Sequence, residues 1–427
     1  MNIQFLRTCL MALMVLCFSG GVFAQEGSSP TQAFDVVEAT EAYLATVSGD
    51  EREKSDAYFE GGYWLILWGF LYGIGVAYLL LRKGFSAKVR GWCQARSRRP
   101  FLQNLMYGAV YVFLSSLLTF PWVIYTGFIR EHQYELATQT FGAWSGEQAT
   151  GLVISIVMMS LFIAVIYVII RKFGEKWWLL GTGVTAVFLA IAVMIAPVFI
   201  APLFNEYKPL ENSEVATAVL NMARESGADF DTVYVVDASA QSTRISANVS
   251  GLGATKRISL NDNLLNQGSL AEVKAVMGHE LGHYILNHVV TLVAGFTLLL
   301  GLGYLFVTKS YFWALRKWGA DWGIEGLDDI AGLPLAVALF SVYLFIMTPA
   351  FNSIIRINEI QADAFGLDAA REPDGFASIA MKLAQYRKLD PGYLEEIIFF
   401  DHPSGRARVE MSMQWKAASI LHKKTVN

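Results

Sequence analysis

Apolar positions along the chain gather into six long uncharged stretches: 61–81, 101–129, 151–170, 177–204, 289–308 and 331–355. Each reaches the roughly 20 residues that a helix needs to cross a hydrocarbon core. Runs of that length, six times over, predict membrane-spanning helices rather than buried core helices. Pro121, Pro197, Pro202 and Pro349 fall near the later ends of these stretches. Kinks and helix exits are tolerated there.

The segments between and after these stretches follow other periods. Residues 213–226 carry an amphipathic helical pattern that stops at Gly227. Residues 232–237 (TVYVVD), 245–249 and 256–260 (KRISL) read as short strands separated by Gly and Ser. Ser269 and Glu272 stand three apart, the spacing of a capping box, and open a helix expected to run through His288. After the last apolar stretch, 356–370 continues as helix, with further helices towards residue 424. The expected fold is therefore a mostly α polytopic membrane protein, with about six spans and an interrupted α+β domain carrying a small sheet. Its parts are four spans in 61–204, a first polar part at 205–288, two spans in 289–355 and a second polar part at 356–427.

Residues 1–24 predict an export signal or, alternatively, a first membrane helix. Arg7 gives the positive start, 9–16 the short apolar run and Val22-Phe23-Ala24 a small-residue cleavage site. A polar segment, 25–60, follows.

Composition agrees with a bilayer. Of 427 residues, 54% are hydrophobic and 16% charged, where soluble domains carry roughly a quarter charged. A net charge of −4 gives no general attraction to nucleic acid. Basic residues cluster locally, however. Seven lie in 82–99, and Arg171, Lys172 and Lys176 follow the third stretch; Lys309, Arg316 and Lys317 follow the fifth. In an alternating chain these loops share one side, which the positive-inside rule makes cytoplasmic. The polar domain then lies outside the cytoplasm, at a bacterial-type inner membrane. The three cysteines, Cys9, Cys17 and Cys93, allow neither a disulfide framework in a processed chain nor a cysteine-rich zinc site.

Any metal must therefore be held by His and carboxylates. His279-Glu280-Leu281-Gly282-His283 places two imidazoles four residues apart, on one helix face. In such a motif both can reach one zinc ion, and Glu280 can act as general base on a water. Catalytic zinc takes three protein ligands and keeps one open position. A histidine at position 289 would continue one known pattern, but Val289 stands there. Glu359 is the candidate third ligand. Asp363, one turn later, could accept the outer N–H of a ligating imidazole. One Zn2+ per chain is expected. His288, five residues after His283, is expected to turn away and serve an interfacial or capping role. His402 with Arg408 could stabilise an oxyanion or grip a substrate carboxylate, or form a solvated pair in a surface turn.

Together with the spans, these motifs resemble the integral-membrane zinc CAAX prenyl endopeptidase family, a gluzincin family. The resemblance includes Phe120-Pro121-Trp122, residues 200–204, Ser246-Ala247-Asn248, 257–265, His279 to His283, 359–365 and 402–408. It implies zinc on His279, His283 and Glu359, Glu280 as base and Asp363 behind a ligand. It also implies that Asn248 lies on an edge strand that pairs with substrate, that His402 and Arg408 face the scissile bond, and that the spans ring a large chamber. Ser404-Gly405 replaces the usual second proline after His402. The expected activity is zinc-dependent peptide hydrolysis at the bilayer, on peptide or protein substrates that include lipidated or membrane-derived ones. A quality-control protease without CAAX specificity is the alternative, because the predicted orientation separates the site from cytosolic prenyl proteins. A non-enzymatic membrane protein is the second alternative.

Overall fold

The computed structural model describes residues 34–211, 213–251 and 256–426. The expected export signal lies outside these residues. Among the described residues fifteen α-helices and four strands follow one another: α1 Val36–Leu44, α2 Gly49–Leu81, α3 Phe85–Arg96, α4 Pro100–Ile124, α5 Arg130–Gln133, α6 Phe141–Phe173 and α7 Trp177–Ile195 precede the sheet. Then come β1 Tyr207–Pro209, α8 Glu214–Glu225, β2 Val233–Val236, β3 Ala247–Ser250, β4 Arg257–Asn261, α9 Asp262–Gln267 and α10 Leu270–Ile285. The chain ends in α11 His288–Trp322, α12 Leu333–Ala370, α13 Pro373–Leu383, α14 Tyr393–Phe399 and α15 Gly405–Val426.

Five helical units among the described residues are long and apolar enough to cross a membrane: Gly49–Arg96, Pro100–Gln133, Phe141–Leu203, His288–Trp322 and Ile330–Ala370. The third of these doubles back. Gly174 adopts φ +53, a conformation glycine reaches without a Cβ penalty. Beyond it, α7 returns along α6, so that Phe162 and Phe188 meet at a ring separation of 4.9 Å. Two apolar stretches thus share one helical unit. Pro121 sits inside α4 and Pro349 inside α12. A wide π-type turn follows α4 at Tyr125–Ile129.

The two ends of the bundle differ. At one end Arg90 pairs with Asp329, and Lys309 lies 3.7 Å from Glu175, so all three basic loops gather there. At the other end lie the polar parts. The segment preceding the first span is no loose tether. Leu44 and Val47 pack with Ala377, Met381, Val409 and Met413, and Tyr43 donates to Asp374 at 2.8 Å.

The sheet runs β1-β2-β4-β3, with β2 and β4 parallel and both outer strands antiparallel to their neighbours. The strand β1 had no counterpart in the sequence pattern. It is three residues long and mostly exposed, too short to show alternation. One core joins both polar parts: Val219, Val233, Ile258, Leu260, Met277 and Leu281 are buried together with Leu367 and Phe376.

Helix α10 distributes its faces three ways. Val273, Met277 and Leu281, spaced four apart, are buried in that core. Burying each stabilises by about 1.5–3 kcal/mol. Gly278 and Gly282 face α12, where a Cβ on Gly278 would stand 2.8 Å from the Gly366 carbonyl oxygen. A Cβ on Gly366 would in turn stand 2.7 Å from the His279 backbone nitrogen. Only glycine permits so close a crossing, and the crossing brings the third face of α10 up to Glu359. The capping box at Ser269 and Glu272 is present and starts the helix.

Candidate metal centre

The third face of α10 carries His279, Glu280 and His283. Against it α12 presents Glu359 and Asp363, and the loop before α15 brings His402. His279 Nε2 and His283 Nε2 lie 3.0 Å apart. Glu359 places Oε2 3.3 Å from His279 Nε2 and Oε1 3.3 Å from His283 Nε2. Tetrahedral zinc with bonds of about 2.0–2.1 Å separates its ligand atoms by roughly 3.3 Å. The donor set and its spacing therefore fit a zinc-sized divalent ion, and His279, His283 and Glu359 are the residues that could hold one.

Behind these atoms lies a second layer. His279 Nδ1–H donates to Asp363 Oδ1 at 2.6 Å, and Asp363 is fully buried. Burial alone would lower the His279 imidazole, but the charge and hydrogen bond of Asp363, with Glu359, push it up to about 9. In the imidazolium form Nε2 also carries a proton, which a metal must displace while Nδ1–H stays on Asp363, so binding weakens in acid. Arg408 is buried against the same two carboxylates, with Nη2 3.2 Å from Glu359 Oε2 and Nε 3.0 Å from Asp363 Oδ2. The second of these contacts is a charge pair without hydrogen-bond alignment.

Where the sequence pattern sent His288 away, the structure turns it inwards. Helix α10 stops at Ile285, short of the expected His288, because Asn287 takes φ +56. Asparagine is among the few residues that tolerate this region. The chain restarts with His288 as the first residue of α11, 1% exposed, its Nδ1 2.8 Å from His283 Nδ1. Its Nε2 lies 3.2 Å from Gln361 Oε1. A carbonyl oxygen only accepts, so His288 Nε2 carries the proton and the lone pair of its Nδ1 faces His283. His283 Nδ1 is then the donor, which leaves the lone pair of His283 Nε2 aimed at Glu359 and His279. The signal that could have located His288 was Asn287 itself, standing before a fresh apolar run.

Glu280 borders the cavity, and among the described residues its carboxylate makes no hydrogen bond. Burial pushes its carboxyl above the usual range, against the pull of both histidines. A carboxylate so placed is suited to accept a proton near neutral pH. His402 lies between two carboxylates, Nδ1 2.7 Å from Asp401 and Nε2 3.3 Å from Glu359. Ser404 is buried, its N–H donating to Glu396 at 3.0 Å, and a Cβ on Gly405 would collide with Leu389. The departure at 404–405 therefore has a packing reason. Asn248 is exposed on β3, opposite Ser259 of β4, and β3 is the outer strand of the sheet. Ser246 and Ala247 border the same cavity as Glu280.

Comparison with known proteins places the chain in a family. Residues 209–416 match the model of peptidase family M48, and residues 36–206 match the N-terminal region of CAAX prenyl proteases, described as five membrane helices. An uncharacterized metalloprotease of Bacillus subtilis (strain 168) is 33% identical over 351 residues, 80% of this chain and 82% of that protein. A probable CAAX prenyl protease 1 of Schizosaccharomyces pombe is 29% identical, over 63% of this chain and 57% of that one. The crystal structure of S. mikatae Ste24p superposes with a TM-score of 0.70 at 23% identity, over 88% of this chain and 94% of that one. That likeness establishes the fold.

Proposed function

The chain belongs to peptidase family M48 and is a multi-pass membrane metalloprotease, and from that premise we propose that it is an endopeptidase with one zinc ion on His279, His283 and Glu359. The observation that carries this reading is two imidazole nitrogens 3.0 Å apart, each 3.3 Å from one oxygen of Glu359, beside a Glu280 carboxylate that makes no hydrogen bond among the described residues. Zinc bound there supplies Lewis acidity, lowering the pKa of a water and polarising a peptide carbonyl.

The chain's own residues do the remainder. Glu280 removes a proton from the attacking water and returns it to the leaving amine nitrogen. Asn248 marks the edge strand β3, along which the substrate backbone pairs in extended form, presenting one peptide bond to the site. His402, as an imidazolium with Asp401 taking its Nδ1–H, donates from Nε2 to the oxyanion as it forms, and Asp401 and Glu359 favour that charged form against its burial. Arg408 holds Glu359 and Asp363 in place and adds positive potential on the same side. Asp363 orients His279.

The three basic loops gathered at one end of the bundle support an orientation with that end cytoplasmic and the site outside, at a bacterial-type inner membrane. This favours hydrophobic or membrane-derived peptides over prenylated cytosolic CAAX proteins as substrates. The test is Glu280→Gln in the purified, zinc-loaded protein. Zinc should remain at about one per chain while peptide cleavage falls by at least about a thousandfold. Undiminished cleavage would overturn the assignment of Glu280. A reporter active only outside the cytoplasm, fused after residue 427, should be active; an inactive fusion would restore cytosolic substrates.

A further inference from the structure

Of the two guanidinium groups in the cavity wall, only one is matched by charge among the described residues. Arg408 is held between Glu359 and Asp363. Arg387 borders the same cavity as His279 and Glu280. Its Nη1 is shut off from solvent and has no hydrogen-bond partner among the described residues. None of the described carboxylates comes within the 4.0 Å of an ion pair. Asp401, the nearby acid, is taken by His402. Burial and the like charge of Arg408 hold the Arg387 guanidinium below its ordinary value.

The backbone beneath Arg387 is fixed. Its carbonyl accepts from Ser55 Oγ at 3.3 Å, and the neighbouring Tyr386 hydroxyl donates to the Ile245 carbonyl at 3.4 Å. Arg387 is thereby tied beside the approach to β3, the strand expected to pair with substrate. A buried donor without a partner is unfavourable in the free protein, and a charged one more so. It persists where a ligand supplies the acceptor. The planar fork of arginine matches a carboxylate in two-point fashion.

We propose that Arg387 receives a carboxylate of the substrate, so that the cavity selects peptides carrying an anion near the scissile bond. The proposal rests on the peptidase reading of the same cavity. Two sources share this chemistry: the free α-carboxylate of a substrate C-terminus and an acidic side chain.

Three quenched fluorogenic peptides of one apolar sequence separate them. One ends in a free carboxylate, one in an amide, and one is an amide carrying a single Glu. With the zinc-loaded full-length protein in lipid nanodiscs, kcat/KM should be at least about tenfold higher for one of the anionic peptides than for the neutral amide. Preference for the free acid assigns the α-carboxylate; preference for the Glu peptide assigns the side chain. Arg387→Gln should bring the ratio to about one, and Arg387→Lys should keep an intermediate ratio. A wild-type ratio of about one, or an unchanged ratio in Arg387→Gln, overturns the proposal. Binding of the labelled peptides to Glu280→Gln, followed by fluorescence anisotropy, separates this from the peptidase reading. Arg387-dependent preference for the anionic peptides without any cleavage by wild type would sink the peptidase and keep the carboxylate site. Equal binding of all three would sink the site.

Discussion

His279 and His283 sit one turn apart on α10 and direct equivalent nitrogens to one point, yet their outer nitrogens meet different chemistry. Behind His279 stands a fully buried carboxylate, Asp363, which also faces Arg408. Behind His283 stands a neutral imidazole, His288, which leads to the exposed amide of Gln361. Both arrangements fix a tautomer. Only the first adds charge, raising the basicity of its imidazole and tying it to a second ionic partner. A second carboxylate at His288 would put another anion beside Glu359, Glu280 and Asp363, with Arg408 already shared between two of them. The neutral relay orients His283 without that repulsion. The His279 side should therefore be the more sensitive to substitution.

The largest effect is expected from Asp363→Asn. It removes the charge behind His279 and leaves buried Arg408 with Glu359 alone. Zinc affinity should fall by about a hundredfold, measured by competition with a chromophoric chelator on the purified protein. A loss smaller than threefold would remove the basis for calling the carboxylate side dominant.

His288→Ala comes next, with an expected loss of about tenfold in the same competition. His283 keeps its place on the helix but loses the acceptor that selects its tautomer. A loss exceeding that of Asp363→Asn would invert the comparison. Gln361→Leu should be milder, about twofold, because Gln361 is exposed and water can take over the acceptor role for His288 Nε2. A tenfold loss there would mean that the relay depends on the amide itself.

The asymmetry between the two histidines also marks what sequence can convey. Four residues of spacing put His279 and His283 on one face, and the acidic pair Glu359 and Asp363 repeats that spacing on α12. Periodicity carries such information within a helix. It carries none about what happens where a helix breaks. A single residue at positive φ, Asn287, reverses the direction of His288, and a helical wheel drawn through it places the side chain on the wrong face. The apolar stretches were legible for the same reason as the motif, since each is a local run. Their joining was not, because the return of α7 along α6 depends on one glycine conformation. Arg408 and Arg387 illustrate the third limit. The sequence pairs Arg408 with His402 and does not single out Arg387, and only the folded cavity shows which of the two meets carboxylates.

The smallest effect on zinc is expected from Glu272→Gln, and it decides whether the differences above belong to the metal site or to α10 as a whole. Glu272 sits in the first turn of α10, 3% exposed, far along the helix from His283. It accepts from Ser269 N–H at 2.7 Å, Ser378 Oγ at 2.6 Å and Lys382 Nζ at 2.7 Å. Burial alone would raise its carboxyl, but these donors and the Lys382 charge hold it below its ordinary value. A group depressed in the folded state contributes stability above its unfolded pKa of about 4.3 and loses it as pH falls through the lower folded value. The variant should therefore unfold about 2–4 °C below wild type at pH 7. The gap should close as pH drops below about 4, with zinc affinity at pH 7 changed by less than about twofold. A gap that persists in acid would mean that side-chain shape, rather than charge, anchors the start of α10. A zinc loss equal to that of His288→Ala would mean that any loosening of α10 spreads to both imidazoles, and the contrast between their two supports would no longer explain how either is held.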